Sequence, residues 1–259
     1  MNDSFLRIDR CTMHFGGLAA LSDFSLTLHE HEIIGIIGPN GAGKTTLFNL
    51  LTGVYQLTSG ALSFRGHDLT PLTPHRVNRL GIARTFQNIR LFTDLTVEDN
   101  VRIAMHQSVR SSLGAASIGT KRFRDEEKNI TEKAEGLLEQ FGLIEKRNAL
   151  ACELPYGFQR KLEMVRALAT SPRLLLLDEP AAGMNAKEKQ ELMELIRNIH
   201  RERKIAIILI EHDMNVVMKL CPRLIVLDYG VTIAEGSPEE VRRHPKVIEA
   251  YLGTSHVED

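Results

Sequence analysis

Gly38-Pro39-Asn40-Gly41-Ala42-Gly43-Lys44-Thr45 matches the pattern GxxxxGK[ST]. Residues of these types at this spacing bind the phosphates of a nucleoside triphosphate. The glycines let the loop from Gly38 through Pro39, Asn40 and Ala42 to Thr46 curl around phosphate oxygens, with every backbone N–H able to donate except at Pro39, which has none. Lys44 brings a positive charge to the β- and γ-phosphates, and Thr45 offers a hydroxyl to Mg²⁺. A helix starting at Lys44 would aim the positive end of its dipole at the same anion. A second segment, Arg173-Leu174-Leu175-Leu176-Leu177-Asp178-Glu179, is an apolar run ending in two carboxylates. It would set Asp178 at the metal, through water, and Glu179 beside the γ-phosphate, where the attacking water needs a base.

The elements that must position these groups are legible around them. Ile33–Ile37 is an apolar run stopping at Gly38, which predicts a fully buried strand; Lys44–Leu51 then reads as a helix. Phe24, Leu26 and Leu28 alternate with polar residues, as do Leu62 and Phe64, so the early part is rich in strands. Thr73-Pro74 predicts an N-cap with proline at the first helical position, and Gly81 the stop. Thr96 predicts another cap, with Glu98 and Asp99 in the first turn. Ser108–Thr120 is small and polar and reads as a loop. Phe123, Ile130, Ala134, Leu137, Leu138 and Phe141 recur at helical spacing up to Gly142. Residues 73–170 are therefore expected to be mainly helical. Beyond them, apolar strands at Leu174–Leu177, Ile205–Ile210 and Leu224–Leu227 alternate with helices marked by Leu192, Leu195, Ile196 and Ile199 and by Asn215–Leu220, the pattern of parallel β-α-β units. The expected fold is one α/β domain over 1–259, its core built from both ends of the chain and interrupted by a helical subdomain at roughly 88–170, with closing helices at roughly 238–252.

Composition excludes several classes. With 43% hydrophobic and 25% charged residues and a formal net charge of −1, the chain has the balance of an ordinary globular protein and no basic excess pointing to nucleic acid. The basic run Lys121-Arg122-Phe123-Arg124 is followed at once by Asp125-Glu126-Glu127 and reads as a solvated helix face. Cys11, Cys152 and Cys221 are far apart and suit buried hydrophobes in a reducing compartment. No signal peptide is visible in MNDSFLRIDR, and no apolar run approaches the ~20 residues that span a bilayer. The chain is expected in the cytoplasm, held at a membrane only through other subunits.

Taken together, the motifs resemble the ABC ATPase family from end to end, which implies a P-loop NTPase fold with a mainly parallel sheet core, an antiparallel β subdomain and an inserted helical subdomain. Gln87, in Arg84-Thr85-Phe86-Gln87, matches the family's Q-loop glutamine, which implies contact with Mg²⁺ beside the transmembrane partner. His212, in Ile210-Glu211-His212-Asp213, is similar to the switch histidine at the γ-phosphate, and Phe15 to the aromatic that stacks on adenine. Leu154-Pro155-Tyr156-Gly157-Phe158-Gln159 occupies the place of the LSGGQ signature. The resemblance implies that Pro155, Tyr156, Gly157 and Gln159 face ATP bound by a second ABC ATPase, a paralogue or another copy, in a head-to-tail dimer. Pro155 lacks the serine's hydroxyl, Phe158 departs from glutamine, and Asn185, in Pro180-Ala181-Ala182-Gly183-Met184-Asn185, replaces the family's aspartate. These two segments, with Arg90-Leu91-Phe92 and Val247-Ile248-Glu249-Ala250-Tyr251-Leu252-Gly253, are similar to the ATPases of branched-chain amino acid importers. That resemblance implies two permease subunits and, indirectly, a solute-binding protein, with ATP and Mg²⁺ as cofactors and the cytoplasmic face of the inner membrane as the place of work. Urea or short-amide importers, or a non-transport ABC ATPase, are the alternatives.

Overall fold

The structure is a computed structural model that describes residues 5–106 and 121–252, the side chains of 121–123 and 252 excepted. The Ser108–Thr120 segment expected as a loop, and Gly253, lie outside the described residues. The chain divides into two compact units, Met1–Arg84 with Arg173–Asp259, and Thr85–Pro172.

The first unit holds two sheets. An antiparallel sheet in the order β2-β1-β4-β5 comprises β1 (Leu6–Phe15), β2 (Leu18–Leu28), β4 (Ser59–Phe64) and the short β5 (His67–Asp68). Its alternation is visible in β2, where Phe24, Leu26 and Leu28 are buried between exposed Ser25 and Thr27. The second sheet runs β10-β9-β3-β8-β7-β6, formed by β3 (Ile33–Ile37), β6 (Ile82–Arg84), β7 (Leu174–Asp178), β8 (Ala206–Ile210), β9 (Arg223–Asp228) and β10 (Val231–Gly236). All its pairings are parallel except β9–β10, a hairpin that closes one edge. β3, β7 and β8 are buried at every position, which explains their unbroken apolar runs: a parallel strand covered on both faces has no side to turn to water. The connecting helices are α1 (Lys44–Leu51), α2 (Pro74–Leu80), α6 (Ala186–Arg203), α7 (Met214–Leu220), α8 (Pro238–Arg243) and α9 (Pro245–Leu252).

β6 corrects the expectation of a mainly helical stretch from residue 73. Gly81, at φ 104, does end α2, but the three residues after it pair with β7 rather than continue as helix. Thr73 precedes α2 as expected, yet its side chain makes no capping bond; the proline at the first position is what starts this helix.

The second unit is helical: α3 (Val97–Met105), α4 (Lys121–Gln140) and α5 (Tyr156–Ala169) pack on one another, and α4 leads to α5 through short 3₁₀ turns at Ile144–Lys146 and Ala151–Glu153. Thr96 caps α3 by accepting from the Asp99 amide at 3.0 Å. Val101, Ala134, Leu138, Leu162 and Val165 are buried within it. Arg124 and Asp125 are exposed, as a solvated face requires, whereas Glu127 is half-buried and pairs with Arg102 at 2.6 Å.

Candidate functional site

The parallel sheet delivers three chain segments to one edge. The Gly38–Gly43 loop leaves the C-terminal end of β3, Asp178 and Glu179 end β7, and Glu211-His212 follow β8. The carboxyl edge of a parallel sheet is where open α/β folds bind ligands.

The loop is built for backbone to approach an anion. Gly43 has φ 101, and a β-carbon there would lie 2.5 Å from the Ala20 carbonyl oxygen; one at Gly38 would lie 2.0 Å from that of Leu227. No larger residue fits either place. No side chain caps the N-terminus of α1, which leaves its first-turn amides for a ligand. The β9–β10 turn braces the loop: the Gly230 amide donates to Ala42 O at 3.0 Å, and Gly230 O accepts from the Ser22 amide. Lys44 is buried and folds back, its Nζ donating to Gly38 O at 2.7 Å and Pro39 O at 2.8 Å. These carbonyls hold the ammonium where phosphate oxygens would take it. Burial lowers its pKa below the usual lysine value, and the Glu179 and Asp178 carboxylates partly oppose that. The two acids therefore share the Lys44 environment. Thr45 is exposed and Thr46 half-buried in the first turn of α1.

Asp178 is almost wholly buried, its Oδ2 accepting from Arg84 Nη2 at 2.8 Å. Glu179 sits at φ 47, in the left-handed region that a glutamate rarely adopts. Its amide donates to Ile210 O at 2.9 Å, tying the loop after β7 to the end of β8. Its Oε2 lies 3.5 Å from His212 Nδ1. Strain held at such a residue marks a place where the surroundings dictate its position. Between them lies Glu211, fully buried, with Oε1 accepting from the Ala181 amide at 2.8 Å and Oε2 from the His212 amide at 3.3 Å. Burial raises its pKa above the ordinary carboxyl value, opposed by the Ala181 and Asp213 amides and by the electrostatic pull of His212, while the nearby Glu179 charge raises it further. Asp213 caps α7 and pairs with Lys189 at 2.5 Å, and that bond holds its carboxyl below the usual range. Asn185 caps α6, accepting from the Lys187 and Glu188 amides. Phe15, at the end of β1, is partly exposed and meets Tyr55 edge-on at 5.1 Å. Cys11 and Cys221 are buried thiols pushed up to about 11 and about 12, inert as nucleophiles, whereas Cys152, also expected to be buried, is exposed in the 3₁₀ turn Ala151–Glu153 rather than under a strand or helix.

The second unit carries the remaining candidates. Gln87 is exposed, and the backbone on either side of it is gripped by α5. Arg160 Nη1 donates to Phe86 O at 2.7 Å and Nη2 to Gln87 O, while Glu163 Oε1 accepts from the Phe86 amide at 3.1 Å. Both side chains are buried, and burial raises the pKa of Glu163. Pro155 stands at the N-cap of α5 without a side-chain cap. The Tyr156 hydroxyl accepts from Arg160 Nε at 3.0 Å and Nη2 at 2.8 Å. Gln159 turns back to donate to Leu154 O at 2.9 Å. Phe158 lies under Lys146 and Lys161, at 5.1 and 5.5 Å from its ring centre, which gives this residue a cation–π role where a glutamine was expected. Gly157 begins the first turn, half-buried.

The structure thus brings Gly38–Thr46, Asp178, Glu179 and His212 together in the first unit, and Gln87 and the Pro155–Gln159 segment together in the second. Sequence reasoning missed Arg84 and Glu211. An arginine after a short strand and a glutamate beside a histidine look like surface residues, and only the abutting apolar runs Ile82-Ala83 and Ile205–Ile210 hint at burial.

Comparison with known proteins agrees. Residues 21–182 match the family described as ABC transporter, and residues 231–257 match that described as branched-chain amino acid ATP-binding cassette transporter. The chain is 45% identical over 253 residues to the high-affinity branched-chain amino acid transport ATP-binding protein LivG of Salmonella typhimurium, covering 98% of this chain and 99% of that one. It is 43% identical, with the same coverage, to BraF of Pseudomonas aeruginosa, which carries the same description. Among solved structures, the ADP conformation of MJ1267, an ATP-binding cassette of an ABC transporter, superposes with a TM-score of 0.82 at 30% identity, over 96% of this chain and 99% of that one.

Proposed function

The chain belongs to the ABC transporter family, and from that premise we propose that it is the ATP-binding and ATP-hydrolysing subunit of an importer for branched-chain amino acids. The observation that carries the ATPase part is the convergence of the Gly38–Thr45 loop, Asp178, Glu179 and His212 at one carboxyl edge. The solute rests on the relatives and on the C-terminal match at residues 231–257, which also favours transport over a non-transport ABC role.

The residues fit a nucleotide. Lys44 exchanges its two carbonyl partners for β- and γ-phosphate oxygens, and the amides of the loop and α1 bind the rest. Phe15 offers a ring face to adenine, and Tyr55 braces its edge. Thr45 and Asp178 are the residues that would hold Mg²⁺, which would supply positive charge against the phosphate oxygens. Glu179 accepts the proton of the attacking water, and His212, 3.5 Å away, fixes that carboxylate and the γ-phosphate geometry. The roles of Gln87 at Mg²⁺ and of Pro155, Tyr156, Gly157 and Gln159 against a second cassette rest on the family resemblance.

None of the described helices is long and apolar enough to cross a membrane. The family resemblance supplies the partners in this proposal: a second ABC ATPase and two permease subunits at the cytoplasmic face, with a solute-binding protein delivering the amino acid. Tagged Glu179→Gln, trapped with ATP in detergent and examined by mass spectrometry, is expected to carry two permeases and a second ABC ATPase. Recovery of soluble partners alone would overturn the transport reading and leave the ATPase reading standing.

A further inference from the structure

Arg84 closes β6, beside β7, with its side chain 5% exposed. Its guanidinium works as a fork. Nη2 donates to Asp178 Oδ2 at 2.8 Å, and Nη1 donates to Asn49 Oδ1 at 2.6 Å. The carbon between them lies 5.4 Å from the centre of the Phe48 ring. Phe48 and Asn49 belong to α1, the helix that begins with Lys44 and Thr45. One rigid planar group therefore spans the end of the strand that carries Asp178 and the helix that carries Thr45.

We infer that Arg84 is a positioning residue for the divalent cation: by bridging Asp178 and Asn49 it sets the spacing between the Asp178 carboxylate and the Thr45 hydroxyl, while its forked donors are spent on protein acceptors. The inference rests on the reading above in which those two residues serve Mg²⁺. Mg²⁺ accepts ligands only near octahedral geometry, at about 2.0–2.1 Å. A drift of a few tenths of an ångström between a strand end and a neighbouring helix therefore weakens it. Groups that orient metal ligands typically govern affinity by about 10–100-fold. The fork matters as well as the charge. A lysine carries the charge on a single point and cannot hold two separated acceptors in one plane.

The test is a titration of the full chain with a fluorescent ATP analogue, in EDTA and across a Mg²⁺ series, for wild type, Arg84→Lys and Asn49→Ala. In both variants the affinity in EDTA is expected to stay within about twofold of wild type, since Lys44 and the loop are intact. The Mg²⁺ concentration that half-saturates the tightening should rise on the order of tenfold. The same series with Ca²⁺, which tolerates irregular geometry, should shift less; a general loss of stability would not separate the two ions. Arg84→Met is the more severe change, and the two milder variants carry the test if it fails to fold. A wild-type Mg²⁺ response in both Arg84→Lys and Asn49→Ala would overturn the inference. A wild-type chain that binds no analogue would instead overturn the reading of the site beneath it.

Discussion

Glu211 offers a sharp perturbation because its carboxylate is fully buried and both oxygens are used. Glu211→Ala strips the acceptor from the Ala181 amide at 2.8 Å and from the His212 amide at 3.3 Å. The Ala181 donor is buried and costs about 1–3 kcal/mol when left without a partner, and the part-buried His212 amide adds less. Glu211→Gln keeps the shape and one acceptor and turns an amide N–H₂ toward the other donor, so its loss should be the smaller of the two. The two variants also differ from wild type in pH dependence. Burial raises the folded pKa of Glu211 above its ordinary 4.5. Its charged form is thus disfavoured in the folded chain: no penalty exists below pH 4.5, and the penalty grows as pH rises from 4.5 through the folded pKa. Replacing the acid removes that slope. The stability gap between wild type and Glu211→Gln should therefore be largest at the acid end and narrow as pH rises across that window. Urea denaturation of both chains from pH 4.5 upward reads this directly, and taking the difference cancels the slope contributed by Glu163, which remains in both chains. ATP turnover should fall on the order of tenfold or more in Glu211→Ala, because the amides it anchors fix the loop that holds Glu179 and His212. A Glu211→Ala chain as stable as wild type, or a gap that does not change with pH, would refute this reasoning.

Three other changes follow from the same geometry. Lys44→Ala removes the only lysine of the loop and should abolish nucleotide binding; unchanged ATP affinity by equilibrium titration would remove the loop from the site. Glu179→Gln should bind ATP and turn it over at least ~10²-fold more slowly, the scale of a general base; near-normal turnover would put the base elsewhere. Gly43→Ala forces an alanine to φ 101 and its β-carbon to 2.5 Å from Ala20 O, so beyond the ~1–2 kcal/mol of a left-handed L-residue the loop itself must shift. Nucleotide affinity should drop at least about tenfold, the equivalent of that strain, and a wild-type value in the same titration would mean that the loop tolerates the shift.

Much of this site was legible in the residues because the phosphate loop is local. Glycines, Lys44 and Thr45 sit within one turn, and the flanking Ile33–Ile37 and Lys44–Leu51 announce strand and helix by their own patterns. The β7 and β8 ends were legible for the same reason: Leu174–Leu177 and Ile205–Ile210 are short apolar runs ending at charged residues, and both strands are covered on both faces. β6 was not, since three residues are too few to show alternation or a run, and only its partner β7 makes it a strand. The Arg84 and Glu211 contacts were hidden because they join segments far apart in sequence, Asn49 with Asp178 and Ala181 with His212. Nothing in the residues beside them records the partner. The departures in the signature segment were visible, but their physical sense was not: Tyr156 and Phe158 make sense only beside Arg160, Lys146 and Lys161.

The most direct measurement is uptake of radiolabelled leucine, isoleucine and valine by cells of the native host lacking this chain, complemented with wild type or with Glu179→Gln. Uptake restored by wild type and absent with Glu179→Gln is the expected result. Uptake that is the same with either chain, or with neither, would contradict an ATPase whose hydrolysis at Glu179 powers import of branched-chain amino acids.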